Sequence, residues 1–310
     1  MNAQLPTVMS KLKELDFIVN VWLLSPTDFG IGYKRDRIWI LGVRRAHVRH
    51  EDQFRAHLDD LMDRFVGHRM VDLGAFLLDE GDPTVQKYYD SIINSSRIRQ
   101  SSSAHTWDKG REEIVQAMEK RGISADCLSE YPSESILEAY PGLRALSHRA
   151  WCVLQAHGVT ESCLPENPPR VVDLTQSILR SSPSSAQTCH TITPRGIHFH
   201  TGRVRKLLGL ESLRLQGICL ERKGKNESEH AVQDYSDTLL QSLAGNTCPT
   251  HCAAAVLLCM FVAVSTSAKG ANHHGGVPCC LAVEALAWHR APANAMDDAS
   301  ESMDDSEAEA

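Results

Sequence analysis

Two arginines spaced two apart, Arg35 and Arg37, stand where an apolar run begins, inside Asp28–Arg45, DFGIGYKRDRIWILGVRR. Glycines at 30 and 32 precede them, and Arg44 and Arg45 close the run. Residues i and i+2 of a strand share a face, so both guanidiniums are expected to aim the same way. Guanidinium forks match phosphates and base edges in bidentate geometry. The segment predicts anion recognition, with nucleic acid the first choice of anion. The plain alternative is a pair of solvated charges at a strand end.

Bulk charge does not oppose this. The formal net charge is −7 over 310 residues. Seven acids and no base fall among the last fourteen residues: Asp297, Asp298, Glu301, Asp304, Asp305, Glu307 and Glu309. Without them the body is neutral and can carry a local basic patch. Lys34–Arg49 holds six Lys and Arg residues against one acid, Asp36. An acidic run of that kind is expected to be a solvated tail. Ten cysteines lack small-domain disulfide spacing, and charges at Lys11, Lys13, Glu14 and Asp16 interrupt any leader pattern. A reducing intracellular compartment is expected. The longest uncharged apolar run, Cys252–Val264, falls short of a bilayer's thickness, so no membrane partner is expected.

The elements that must position these residues follow from periodicity. Val8–Leu15 predicts a short amphipathic helix. Phe17–Leu24 is β-branched and aromatic and predicts a strand. Ser25–Asp28 is a turn signal, and Arg37–Val43 predicts a second strand, so the pair should form an antiparallel hairpin at a sheet edge. Glu51–Val66 predicts a helix from Phe54, Leu58, Leu61, Met62, Phe65 and Val66. A Ser-rich loop is expected over 95–108, helices over Arg111–Lys120 and Leu143–Ala156, and a strand at Val171–Leu174. A short helix is expected at Leu208–Gln216 and a buried one at Pro249–Val264. Residues 266–310 are expected to be poorly ordered apart from Cys280–Trp288.

Three separated blocks together resemble one family, the DNA cytosine-5 methyltransferases. Asp28–Gly42 resembles the family's motif VIII. Arg205–Gly217, RKLLGLESLRLQG, resembles motif IX. Ala244–Val256, AGNTCPTHCAAAV, resembles motif X. Their order and spacing also fit, and the family keeps its variable target-recognition segment between VIII and IX. Departures occur at Gly32 and Tyr33, where the pattern has Pro and Gln, at Leu208, where it has Ser or Thr, and at Cys248, where it has Val. The Gly-rich cofactor loop, the Pro-Cys-Gln nucleophile and the Glu-Asn-Val motif have no counterpart in this sequence. The chain looks like the C-terminal half of such an enzyme.

The resemblance implies an α/β fold: a partial S-adenosylmethionine-dependent, Rossmann-like methyltransferase sheet with a small target-recognition domain. Residues 1–45 would end the catalytic sheet, 46–204 would be the recognition region, 205–265 would return to the catalytic domain, and 266–310 would hold the acidic tail. It implies transfer of methyl from S-adenosylmethionine to cytosine in DNA when complete, on a base flipped from the duplex. The family's cysteine thiolate adds to carbon 6 while a carboxyl group stabilises nitrogen 3. Lacking both, this chain alone is expected to be inactive. Arg37 would contact the base and Arg35 would support the site. Gly245, Asn246 and Thr247 would lie at the cofactor pocket, Asn246 at the start of the helix that follows. Arg205 and Glu211 would organise the recognition segment. DNA would be held by Arg97 and Arg99, with Lys109 and Trp107 nearby, and by Arg195 and Arg203.

The implied partners are DNA and a chain carrying the missing N-terminal half, and the implied location is the nucleus. Two other readings stay open: a non-catalytic DNA-binding partner, and a decayed fragment. No metal is expected. Cys248, His251, Cys252 and Cys259, and the second group His273, His274, Cys279 and Cys280, lack paired zinc-ligand spacing. The sole Pro-Cys pair, Pro278-Cys279, has no cofactor loop after it.

Overall fold

The structure, a computed structural model, describes residues 4–96, 104–128, 131–179, 188–220 and 235–267. Helix α1 (Gln4–Glu14) leads into strand β1 (Phe17–Leu24), which pairs antiparallel with β2 (Arg37–Arg44) in the register Phe17↔Arg44 to Leu24↔Arg37. The hairpin is as expected, but among the described residues it stands as a two-stranded sheet of its own and is not the edge of a larger one. A 3-10 turn at Pro26–Phe29 opens its connection and ends at Gly30, whose φ of 77° suits a residue without a Cβ. The register puts Ile18, Trp22, Leu41 and Val43 on one face. That face packs on α2 (Glu51–Phe65) through Phe54, Leu58 and Met62, spaced four apart as an amphipathic helix requires. Helix α2 therefore belongs to the hairpin layer, although it lies inside the 46–204 segment.

The middle of the chain is mostly helical. It contains α3 (Pro83–Ser96), α4 (Ala104–Lys120), α5 (Glu134–Ala139) and α6 (His148–Ala156). Helix α4 begins well before the expected Arg111, inside the stretch read as a loop. The helix expected over Leu143–Ala156 is split into a 3-10 turn at Pro141–Ala145 and α6, where Ser147 caps the new start by accepting from the Ala150 N–H. Residues Ala150–Ala156 are all buried, which makes α6 the centre of this region's core, around a fully buried Trp151. A second small sheet joins β3 (Val171–Asp173), β4 (His198–His200) and β5 (Arg205–Lys206), antiparallel throughout.

Three helices close the described chain: α7 (Gly209–Leu215), α8 (Asp237–Asn246) and α9 (Thr250–Ser267). Helix α8 packs on α7, and α9 returns to the hairpin and α2 through Cys252, Ala255, Val256, Cys259 and Ala263. The architecture is mixed α/β and helix-rich, with small antiparallel sheets. Among the described residues there is no multi-stranded parallel sheet, and the one parallel contact is a single bridge, Tyr33↔Cys189. Asp237–Thr266, taken as one stretch, is long and apolar enough to cross a membrane by length and composition, and it extends beyond the Cys252–Val264 run on both sides. The readings for 268–310 lie outside the described residues.

Candidate functional site

The three sequence blocks meet at one point. Tyr33 is fully buried, and its bridge to Cys189 is fixed by Lys34 N–H donating to the Cys189 carbonyl (3.1 Å) and Cys189 N–H donating to the Gly32 carbonyl (2.7 Å). The chain is thereby held off the hairpin ladder until Arg37. Arg35 sits in that detour. Its backbone N–H donates to Ser25 Oγ (3.1 Å), and its Nη1 donates to the carbonyls of Thr247 (3.0 Å) and Gly245 (3.4 Å) and to Tyr33 Oη (3.2 Å). Gln216, the glutamine of Arg214-Leu215-Gln216-Gly217, is also fully buried. Its Nε2 donates to Tyr33 Oη and to the Ala244 carbonyl, both at 3.0 Å. Burial, only partly offset by the Arg35 and Gln216 hydrogen bonds, pushes the Tyr33 phenol above its ordinary range.

The two arginines do not share a face, contrary to expectation. Arg35 precedes β2 and turns inward to the end of α8. Arg37 is the first residue of β2, is exposed, and donates to the Asp36 carbonyl (2.8 Å). The i, i+2 rule fails because only one of the pair is in the strand. Arg35 is held where the last carbonyls of α8 would otherwise lack partners, a position that favours a cation.

Gly245 has a steric reason to be glycine. A Cβ there would stand 2.1 Å from the Pro194 nitrogen and 2.2 Å from the Thr193 carbonyl carbon. The loop bearing Arg195 is thus pressed against α8. Thr191 Oγ1 donating to the Lys34 carbonyl (2.9 Å) and Gln241 Nε2 donating to the Thr193 carbonyl (3.3 Å) pin it further. Asn246 is exposed, but it is the last residue of α8. It is not the N-cap of the next helix, because Thr247, Cys248 and Pro249 intervene before α9. The start of α9 is tied instead to the Gln216 carbonyl, which accepts from the Thr250 N–H (3.0 Å) and its hydroxyl. Gly217, at φ 79°, leaves room for His251.

The Arg205–Glu211 pair lies behind this junction, with both side chains at 0% exposure. Arg205 grips Glu211 bidentately at 2.8 and 2.9 Å, and Glu211 accepts the N–H groups of Leu208 (2.7 Å) and Leu78 (2.8 Å). Burial alone would weaken the Arg205 charge, but Glu211 and Glu80 outweigh it and hold its pKa above the usual arginine range. The pair fastens α7 to residues 78–80. Leu208 has no hydroxyl to offer the helix start. Asp237 supplies an acceptor from α8 instead, taking the Gly209 N–H at 2.6 Å.

The structure therefore gathers Arg35, Gly245, Asn246 and Thr247 at one place, with exposed Lys34, Arg37 and Arg195 on the segments stitched to it. Arg203 is elsewhere, half-exposed and 3.7 Å from Glu80. Arg97 and Arg99 lie outside the described residues, and the side chains of Trp107 and Lys109 are not described. Sequence reading missed the roles of Tyr33, Gln216 and Pro194. A glutamine placed directly after Leu215, where the apolar helical stretch ends at Gly217, was the available signal for the second.

The residues at 245–247 do not by themselves enclose a cofactor. One side of Gly245 is filled by Thr193 and Pro194, and two of the carbonyls belong to Arg35. Among the described residues no group of three or more His, Cys, Asp or Glu is placed to hold a metal. Cys252 and Cys259 are buried, and burial pushes their thiols up to about 12 and about 11, as suits core packing. His273, His274, Cys279 and Cys280 lie outside the described residues. No family model matches this sequence. No curated protein matches it either.

Proposed function

We propose that this chain is a DNA-binding homologue of the cytosine-5 methyltransferases. It supplies the DNA-gripping, C-terminal side of that architecture and does not itself transfer methyl. One observation carries the reading: Arg35, from the block resembling motif VIII, bonds the carbonyls flanking Asn246 in the block resembling motif X. Gln216, from the block resembling motif IX, bonds both neighbours. Segments 28–42, 205–217 and 244–256 were picked out independently as sequence, and a chance resemblance would not require them to touch.

Exposed Lys34, Arg37 and Arg195 then serve as phosphate contacts, which position a duplex without reading its sequence. Arg35 acts behind them by holding the end of α8. A Rossmann-like sheet, S-adenosylmethionine and a cysteine nucleophile belong to this reading only through a second chain or segment. No residue at 245–247 closes a pocket around that cofactor. The absence of any Pro-Cys-Gln or Glu-Asn-Val sequence favours a binding role over a catalytic one.

The test is duplex DNA binding by fluorescence anisotropy across a salt series, with labelled S-adenosylmethionine in a parallel assay. Affinity should fall steeply with salt and drop at least tenfold in Arg37→Ala plus Arg195→Ala, with no label incorporated. Salt-insensitive binding, or none, would refute the DNA role. Methyl incorporation by the purified chain would refute the non-catalytic one.

A further inference from the structure

A cleft of about 980 Å³ opens at the opposite end of α8, walled by α3, the start of α6 and the start of α8. It shares no lining residue with the Arg35 junction and does not depend on the DNA reading. Its volume falls at the upper end of the range of small-molecule sites, and its composition is of the same kind, apolar with a few convergent polar groups.

The floor is aliphatic, from Leu146, Leu208 and Leu240. Two aromatic rings stand in the wall, Tyr88 and the half-exposed Tyr235. Three cations line it, Lys87, Arg144 and Lys206, against one carboxylate, Asp237. Lys206 lies over the Tyr88 ring at 5.2 Å and pairs with Asp237 at 2.5 Å, while Arg144 is bonded to Glu134 outside the wall. Ser147 and Ser236, the N-caps of α6 and α8, are both in the lining. The positive ends of two helix dipoles therefore add to the cationic character of the site. An apolar floor, aromatic walls and positive charge in one cleft suit a ligand with a flat or aliphatic body and one anionic group.

We propose that this cleft is a binding site for a small amphipathic anion, an apolar body carrying a single sulfonate, carboxylate or phosphate. The apolar body lies on Leu208 and Leu240 beside Tyr88, and the anion lies in the combined positive field of Lys87, Lys206 and the start of α8.

The probe is 8-anilinonaphthalene-1-sulfonate, titrated by fluorescence against the full chain, with decanoate and adenosine monophosphate as competitors. One saturable site per chain is expected. Lys87→Glu, on the exposed face of α3, should weaken it at least fivefold. Ser91→Trp, which places an indole in the mouth of the cleft, should abolish it. Melting curves confirm that both variants fold. Displacement by decanoate would assign an aliphatic carboxylate, and displacement by the nucleotide a phosphate monoester carrying an aromatic base. If the wild-type chain shows no saturable site, or if both folded variants bind as the wild type does, the proposal fails.

Discussion

Removing the Arg205 guanidinium should be among the most damaging single changes in this chain. In Arg205→Ala, Glu211 keeps only the N–H groups of Leu78 and Leu208 around a carboxylate with no access to water. Breaking a buried ion pair from one side costs about 3–5 kcal/mol, because the partner is left charged and uncompensated. For a chain of this size that corresponds to a melting point lower by roughly 6–20 °C. Glu211→Ala acts differently. Arg205 retains Glu80 Oε1 at 3.1 Å and the Lys206 carbonyl, but two buried amides lose their acceptor, at about 1–3 kcal/mol each. The double variant removes the stranded charge, so its loss should be smaller than the sum of the singles, with a coupling of about 2–3 kcal/mol. Urea denaturation of the four proteins measures it. A coupling below about 0.5 kcal/mol, or an Arg205→Ala protein melting within about 2 °C of wild type, would show that the pair is not the anchor of α7.

Arg35→Ala should cost about 1.5–3 kcal/mol in a denaturant melt, since it removes charged hydrogen bonds to three acceptors. Arg37→Ala should leave stability within about 0.5 kcal/mol, so equal losses from the two would contradict the inward and outward placements. Gly245→Ala should destabilise by about 3 kcal/mol, because its Cβ meets backbone that has little room to yield. An unchanged melting point would show that the 193–194 loop is not seated there. Burial, with Arg121 the next contributor at His157 and Arg205 at His200, depresses both imidazoles to about 4. Each is neutral when folded and titrates near 6.5 when unfolded. The stability they confer is complete above pH 6.5 and is lost as pH falls toward 4, up to about 3 kcal/mol apiece. A flat stability profile between pH 7 and 4 would refute this.

The hairpin was legible because two runs rich in β-branched and aromatic residues flank a turn signal, and its strand bounds were off by a single residue. Helix α2 was legible from the spacing of Phe54, Leu58 and Met62. The contrast between Arg35 and Arg37 was not, because it is set by Cys189, a partner far along the chain that takes Tyr33 out of the ladder. Asn246 was misplaced for a related reason. Gly-Asn before a helical run reads as an N-cap, yet the glycine is required by Pro194 and the asparagine closes the preceding helix. The cleft left no mark in the sequence, since its walls come from three helices and each residue type is ordinary alone. The three blocks were found as patterns, while the buried glutamine that joins them became visible only in three dimensions.

The bend between α8 and α9 has a mechanical consequence. Ala244, Gly245 and Thr247 all have their carbonyls engaged, by Gln216 or by Arg35, and Thr250 is tied to Gln216 from the other side. An elbow clamped on both sides cannot hinge freely. Straightening Asp237–Thr266 into one continuous rod, as a bilayer crossing would demand, means tearing a guanidinium and an amide from their acceptors at its midpoint. The same clamp makes the second arm of the elbow, which rests on the hairpin, a handle on the arginine: a shift of one drags the other.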